Sequence, residues 1–336
     1  MEWFDALSGD DAAQVSSLID TATKADGVAP VSEAVRLSLT TESSGSAGLA
    51  GSAGARHLIH RAGDRIAGYA SMVAGHGEHA AMAEAAVHPD LRGQGVGTEL
   101  VGAALAAGGP GTRVWAHGDL APARRVSAKL GLEPVRELLQ LRRTDSAGEL
   151  PELVIPDGVR LRTYTGPEDD AELLRVNSAA FSWHPEQGAW TEADVAQRRA
   201  EHWFDPLGLF IAEDVEAEPG TPGAMLGFHW TKVHTTGAEP AERPDSTVPE
   251  PIGEVYVVGI DPAAQGRGLG RLLTLAGLHH LRIRGLDTVM LYTEGDNTAA
   301  LHTYHRLGFT RYAVDVAYAA AQPNSGTVRT VGEPTV

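Results

Sequence analysis

The sequence contains no cysteine, which excludes disulfides, thiolate metal sites and cysteine nucleophiles together. It is also short of bases. Against 27 Lys and Arg stand 44 Asp and Glu, and a net charge of −17 repels nucleic-acid phosphates and anionic membranes. No apolar run approaches the roughly 18 residues of a membrane span, so neither nucleic acid nor membrane is an expected partner. The opening segment MEWFDALSGDDAAQV lacks the positive flank and apolar centre of a signal peptide. A soluble cytoplasmic monomer acting on a small neutral or cationic substrate is the expectation. Core material is not lacking: 43% hydrophobic and 21% charged residues lie near globular averages, and 336 residues suit about two domains.

What is present is a repeat. The segment Val87–Val101 (VHPDLRGQGVGTELV) returns as Ile260–Thr274 (IDPAAQGRGLGRLLT), so a shift of 173 maps Val87 onto Ile260. His117–Leu132 returns as Glu294–Phe309 under a shift of 177. One fold therefore occurs twice. Each copy reads as a β-hairpin, an apolar strand, a Gly-rich turn and a helix, then a strand, a Gly-Asp turn, a helix ending in Leu-Gly and a closing strand. The hairpins are His57–Arg61 with Arg65–Val73, and Leu209–Val215 with Met225–Val233. The expected fold class is α/β with mixed sheets in two tandem domains, 1–141 and 157–320. A linker at 142–156 joins them, and a disordered tail follows at 321–336. The Pro-rich stretch between 234 and 253 is too long for an ordinary connection and reads as an insertion or a lid.

The chemistry concentrates where strand meets turn. Gln265-Gly266-Arg267-Gly268-Leu269-Gly270 and its echo Arg92-Gly93-Gln94-Gly95-Val96-Gly97 each follow a strand and open a helix. Backbone amides there converge on an anion at the positive helix end, and phosphate is the natural ligand. Neither copy has the Gly-Lys-Ser/Thr of a Walker loop or the GxGxxG of a dinucleotide fold. The histidine pairs His57/His60, His76/His79 and His302/His305 lack a third ligand, and three-residue spacing on a strand points to opposite faces, so no metal is expected.

The combination (V/I)xP…(Q/R)xxGxG with a distal NxxAxxxYxxxGF resembles the GNAT N-acetyltransferase superfamily, once in each half. The longer runs VYVVGIDPAAQGRGLGRLLT, LYTEGDNTAALHTYHRLGF, DGVAPVSEAVRL and FSWHPEQGAW resemble its actinobacterial mycothiol synthase family over nearly the whole chain. The resemblance implies acetyl-coenzyme A as co-substrate and transfer to the cysteinyl amine of desacetylmycothiol. It places the coenzyme against Val257, Val258, Gly259 and Ile260, then Gln265, Gly266, Arg267, Gly268, Leu269, Gly270 and Arg271. Asn297, Thr298, Ala299, Ala300, Leu301 and His302 follow at the last helix. In the first copy the matching positions are Ala85, Ala86 and Val87 with Gly93, Gln94, Gly95, Val96, Gly97 and Thr98. Contacts to the acceptor fall on Glu33, Glu186, Lys232, Glu254 and Tyr292.

The residues also distinguish the copies. The shift of 173 carries Glu254 back to Ala81, and the shift of 177 carries Asn297 and Tyr304 back to Leu120 and Ser127. Glu84 is three places from Ala81, and on a strand an odd step changes faces. Chemistry is therefore expected in the second copy, with the first a catalytically inactive half that keeps the anion turn. An α-amine with a pKa near 7.7 to 8.0 must lose a proton before it attacks, and Glu254 is the candidate base. Tyr304 is the candidate proton donor to the departing thiolate, although Ala300, Leu301, Tyr304 and Leu307 also form an apolar stripe. Asn297 suits a helix N-cap. Alternatives are a transferase for another small amine or a protein N-terminus, and a non-catalytic acyl-coenzyme A sensor.

Overall fold

A computed structural model describes residues 1–39, 55–75, 80–182, 187–218, 221, 223–234 and 251–321, without the side chains of Glu33 and Leu37. His76, His79, Glu186, most of the 234–253 stretch and the tail from 322 lie outside the described residues, as does the Glu33 side chain. The elements in chain order are β1 (Glu2–Phe4), α1 (Gly9–Asp26), α2 (Glu33–Ser38), β2 (Ala55–Ala62), β3 (Arg65–Val73), β4 (Met82–Val87), α3 (Val96–Gly108), β5 (Arg113–Ala116), α4 (Ala121–Lys129) and β6 (Leu132–Arg143). Then follow β7 (Val159–Thr163), α5 (Asp170–Ala180), α6 (Glu192–Ala200), β8 (Leu209–Asp214), β9 (Met225–His234), β10 (Ile252–Ile260), α7 (Leu269–Ile283), β11 (Val289–Glu294), α8 (Thr298–Arg306) and β12 (Thr310–Ala320).

Local chemistry sets these boundaries. The Ser8 side chain accepts from the Asp11 amide, Asp10 and Asp11 favour the positive helix end, and Gly27 closes α1 in the left-handed region at φ 72°. Val15, Leu18, Ile19 and Ala22 recur at helical spacing and are buried. The first hairpin turns at Gly63-Asp64, with Gly63 at φ 65°.

Two compact units result. One is Met1–Arg136 with the chain from Asp315 on, and the other is Glu137–Val314. In the first, β1 to β4 pair antiparallel in sequence order, β4 pairs parallel with β5, and β5 pairs antiparallel with the end of β12. The second repeats this with β7 to β10, then β11, then the end of β6. The closing strand of each copy thus completes the unit built by the other. Boundaries at 141 and 157 do not describe this exchange, and Arg142 and Arg143, read as linker, belong to β6. The reason lies in contacts far apart in sequence: Leu139 and Leu141 are buried beside β11, and Asp315 is anchored beside β5.

Both sheets carry helices on both faces. In the first unit Ile19 of α1 clusters with Ile59 and Tyr69, while Leu100 of α3 clusters with Leu58 and Ala70. In the second, Leu173, Ile211 and Trp230 form the α5 side, and Ala212, Leu269 and Leu273 the α7 side. Adjacent Ile211 and Ala212 fall into opposite cores because strand side chains alternate. Each fully buried Leu or Ile contributes about 1.5–3 kcal/mol of transfer free energy. Among the described residues no helix is long and apolar enough to cross a membrane.

The end of β12 is held by charge. His117 Nδ1 lies 3.0 Å from Asp315 Oδ2, His117 Nε2 lies 3.2 Å from Glu84 Oε2, and the Gly118 amide donates to Asp315 at 2.8 Å. Burial disfavours the charged imidazole, but the hydrogen bonds to Asp315 and Glu84 outweigh it and hold His117 up at about 10. For Asp315 burial works upward, and the His117 hydrogen bond reverses it to a lowered value. A raised histidine stabilises fully below its unfolded value of 6.5 and loses that contribution as pH rises towards 10. The lowered Asp315 contributes above its ordinary 3.8 and loses its contribution as pH falls. The stability gap between parent and His117→Gln should therefore be widest between about pH 4 and 6.5 and should close towards about pH 10. Thermal melts across that range check it, and a gap that stays constant into alkali contradicts a charged His117.

Candidate active site

In the second unit the parallel pairing of β10 with β11 ends at Val255 and Leu291, although the strands run on to Ile260 and Glu294. The two strands part there. Because the Asp261 amide donates to Leu226 of β9 at 2.9 Å, strand alternation turns the amides of Val258 and Ile260 the other way, into the gap. A β-bulge between Val255 and Val257 leaves Tyr256 unmatched in the register with β9. Past Ile260 the chain is braced by Asp261, whose carboxylate accepts from the Ala263 amide and from Arg175 of α5. Arg175 also donates to the Met225 carbonyl at 2.8 Å. Burial pushes Asp261 up, but the Arg175 hydrogen bond prevails and its carboxyl lies below the usual range.

The glycine turn follows. Gly266 and Gly268 have φ of 82° and 76°, a region costly for other L-residues. A Cβ added at Gly266, Gly268 or Gly270 would meet no atom within 4 Å, so packing does not demand glycine there. Gly268 caps the 15-residue helix α7 and supplies no side-chain acceptor, which leaves the amides of its first turn for an outside anion. Gln265, Gly266, Arg267 and Arg271 are exposed, while Leu269 is a buried core anchor rather than a lining group. An uncapped helix end beside a widening strand gap fits a pyrophosphate followed by an extended chain.

Glu254 opens the strand that enters this turn. It is 7% exposed, so it is not a solvated strand-edge acid. Register places Lys232 of β9 directly opposite and His234 two residues beyond, all on one face. His234 Nε2 reaches Glu254 Oε2 at 2.7 Å, and Oε1 has no protein partner among the described residues. The Lys232 ammonium lies 5.0 Å from the ring centre of Trp203 and 5.4 Å from that of Tyr256. Trp190, with the Arg198 guanidinium 4.1 Å over its ring, extends the aromatic wall. Pairing of Glu254 with Met290 puts Tyr292 on the same face, 42% exposed, where Gln140 donates to its hydroxyl at 2.8 Å. The structure thus brings Glu254, Lys232 and Tyr292 to one side of one sheet.

The last helix carries the remaining candidates. Asn297 caps α8 by accepting from the Ala300 amide at 3.1 Å. Thr298, Ala299 and His302 are exposed, and Ala300, Leu301 and Tyr304 are half-buried. Of the apolar stripe only Leu307 is buried. Tyr304 sets its ring edge against Phe309, yet its hydroxyl has no hydrogen-bond partner among the described residues. Burial pushes that hydroxyl up to about 12, so it keeps its proton at neutral pH. No group of three or more His, Cys, Asp or Glu able to hold a metal occurs among the described residues.

The model of the acetyltransferase (GNAT) family matches residues 35–132 and again 177–309. A protein of Nocardia farcinica named mycothiol acetyltransferase is 60% identical over 320 residues, covering 95% of this chain and 97% of its own. Its namesake in Rhodococcus opacus is 58% identical, covering 95% and 98%. The chain belongs to the mycothiol acetyltransferases of the GNAT family. It is an acetyl-coenzyme A-dependent N-acetyltransferase. Two solved structures share the fold: a GCN5-related N-acetyltransferase from Sphaerobacter thermophilus (TM-score 0.64, 21% identity, 94% of both chains) and a tandem GNAT protein from the clavulanic acid biosynthesis pathway (TM-score 0.61, 19% identity, 96% and 99%).

Within this chain the first unit keeps one half of the arrangement. The pairing of β4 with β5 ends at Glu84 and Trp115, and the His88 amide donates to Ala67, so the amides of Ala85 and Val87 turn into a like gap flanking Ala86. Gly93 and Gly95 have positive φ, and Gly95 leaves α3 uncapped above Gln94, Val96, Gly97 and Thr98. The other half is missing. The β3–β4 register runs unbroken where β10 bulges, Ala81 is buried, Leu120 gives α4 no side-chain cap, and Ser127 is buried. A carboxylate, Glu84, does lie on β4, but Ser32 donates to it from both amide and hydroxyl and His117 occupies it as well. Sequence reasoning missed His234, whose only signal was a polar residue closing an apolar strand, and it missed the Glu84–His117–Asp315 cluster.

Gly270 separates coenzyme contact from backbone strain, because its φ is ordinary and its Cβ direction is open. Gly270→Val should melt within a few degrees of the parent yet weaken acetyl-coenzyme A binding by roughly tenfold or more, since side-chain bulk then blocks the approach to the α7 amides. Calorimetric titration of the variant checks it. Undiminished binding would place the coenzyme elsewhere.

Proposed function

We propose that this chain transfers the acetyl group of acetyl-coenzyme A to the cysteinyl amine of desacetylmycothiol, in its second unit, with Glu254 as base and Tyr304 as proton donor. The observation that carries this reading is the asymmetry of the copies: both keep the anion turn, but among the described residues only the second pairs it with a buried carboxylate that has an unengaged oxygen. Acceptor identity rests on the relatives, which are named mycothiol acetyltransferases.

The thioester of acetyl-coenzyme A supplies the activated acetyl group. An incoming α-amine, mostly protonated at pH 7, gives its proton to Glu254 Oε1 and becomes nucleophilic. The amides of Val258 and Ile260 face the gap in which the acetyl oxygen gains charge, and fixed dipoles of this kind favour the transition state over the ground state. Tyr304 returns a proton to the departing sulfur. Lys232 and Tyr292, on the same face as Glu254, suit acceptor contacts; the family resemblance adds Glu33 and Glu186. A polyol with a sugar suits such hydroxyl-binding side chains. The first unit serves as a structural half that retains a coenzyme-binding turn.

The test is release of free coenzyme A with a panel of amines. Desacetylmycothiol should turn over fastest, and a preference for aminoglycosides or peptide N-termini would replace this acceptor. Tyr304→Phe keeps the ring and deletes a hydroxyl that has no hydrogen-bond partner among the described residues. Its turnover should fall on the order of 10²-fold with melting temperature and coenzyme binding little changed, as expected of one acid–base group. A parental rate under conditions where chemistry limits turnover assigns Tyr304 to packing alone.

A further inference from the structure

Glu254 is placed by strand register, but among the described residues one hydrogen bond orients its carboxylate. His234 is the last residue of β9, and its side chain is 18% exposed against 9% for Glu254. Between them lies the 2.7 Å contact from Nε2 to Oε2. An ionised carboxylate only accepts hydrogen bonds, so Nε2 carries the hydrogen and His234 is the donor. In the neutral ring Nδ1 is then the acceptor nitrogen.

We infer that His234 is a positioning residue for acetyl transfer: by donating to Oε2 it holds the Glu254 carboxylate with Oε1 presented to the acceptor amine. This rests on the reading of Glu254 as base. Three features of the site support it. Lys232, directly across the ladder from Glu254, is the nearest cationic competitor by register, but its ammonium is drawn over Trp203 and Tyr256. A carboxylate on a free side chain would sample several rotamers, and fixing one of its oxygens removes that freedom before the substrate arrives. The first unit shows the opposite outcome: Glu84 is gripped on both oxygens and has nothing left to offer an amine.

The proton count is simple. The first ammonium proton moves to Glu254 Oε1, the nitrogen lone pair forms the bond to the acetyl carbon, and the carbon–sulfur bond breaks as sulfur receives a proton from Tyr304; the second nitrogen proton leaves to water, which returns one proton to the Tyr304 oxygen and takes the one held by Glu254. His234 keeps its own proton throughout. Among the described residues the groups on the face of Glu254 are Lys232 and His234 from β9, Tyr256 from its own strand and Tyr292 from β11, and Arg198 of α6 is engaged with Tyr256, to which its Nε donates. The charged groups of α5 are engaged elsewhere, Asp170 with Arg199 and Glu172 with Arg175, which also binds Asp261. On α7, Leu281 and Gly277 meet Gly253 and His229, with His280 and Arg284 turned to Asp205.

The test compares kcat and KM for the amine in the parent, His234→Gln, His234→Met and Glu254→Gln. Gln carries an N–H donor the same number of bonds from Cβ as His234 Nε2, and Met has similar length without the donor. His234→Met should lose on the order of tenfold in kcat near neutrality. Because the loss is one of orientation, it should fall on kcat and leave KM for the amine little changed. His234→Gln should recover most of kcat, and His234→Met should add little in the Glu254→Gln background. A loss that falls on KM instead of kcat, or equal losses in Gln and Met variants of parental melting temperature, reduces His234 to a strand end and overturns the inference. A Glu254→Gln enzyme with parental turnover overturns the base itself, an outcome distinct from failure at His234 alone.

Discussion

Two neighbouring parallel strands that stop pairing while both continue set the terms for everything else in the second unit. Backbone N–H groups on an interior strand are costly to leave without partners, and β10 exposes those of Val258 and Ile260 to a gap. A gap of this kind persists only if its edges are braced elsewhere. On one side β10 stays in register with β9 up to Ile260, and at its end Arg175 fixes Asp261 and the Met225 carbonyl together. On the other, β11 is held by the end of β6 from Val289 to Glu294. The glycine turn and the uncapped start of α7 continue the same unpaired backbone around a corner, so a single extended ligand can satisfy both.

The units share that constraint and diverge in what surrounds it. Where β10 bulges at Tyr256, β4 runs straight, and the difference changes which side chains arrive opposite the hairpin strand. In the first unit the result is a closed charge cluster, with His117 raised to about 10 between Glu84 and Asp315. Buried ions so thoroughly compensated bind nothing further, and their role is to fix the strand that carries Asp315. In the second unit the carboxylate is half compensated. The anion turn is common to both because it is backbone geometry, whereas reactivity follows from side chains on strands and on α8.

Much of the architecture was legible because it is local. The repeat, the hairpin at Gly63-Asp64, the cap at Asn297 and the uncapped helices behind Gly95 and Gly268 all follow from residues within a few positions of one another. Strand exchange was not legible, since alternation in Leu132–Arg143 or Thr310–Ala320 tells which face is apolar but not which sheet edge receives it. The bulge at Tyr256 hides in the apolar run VYVV, where no glycine or proline marks a register change. Glu254 looked like a surface acid in an acidic chain until the sheet buried it. His234 acquires meaning only from a partner twenty residues away across a ladder.

The acidity of the whole chain bears on how an anionic coenzyme is held. At a net charge of −17 the long-range field opposes its approach, and no run of lysines flanks either turn. Amides and helix dipoles act within a turn of the helix, where distant carboxylates are screened at physiological salt. Exposed Arg267 and Arg271 add cationic reach at the same helix start, and Arg267 is only loosely tied to Asp214 at 3.7 Å. Negative charge elsewhere then favours the other partner, because a protonated amine is a cation until Glu254 takes its proton. One surface charge can thus serve two substrates of opposite sign, provided that the anion is gripped by backbone and the cation is drawn to a buried carboxylate.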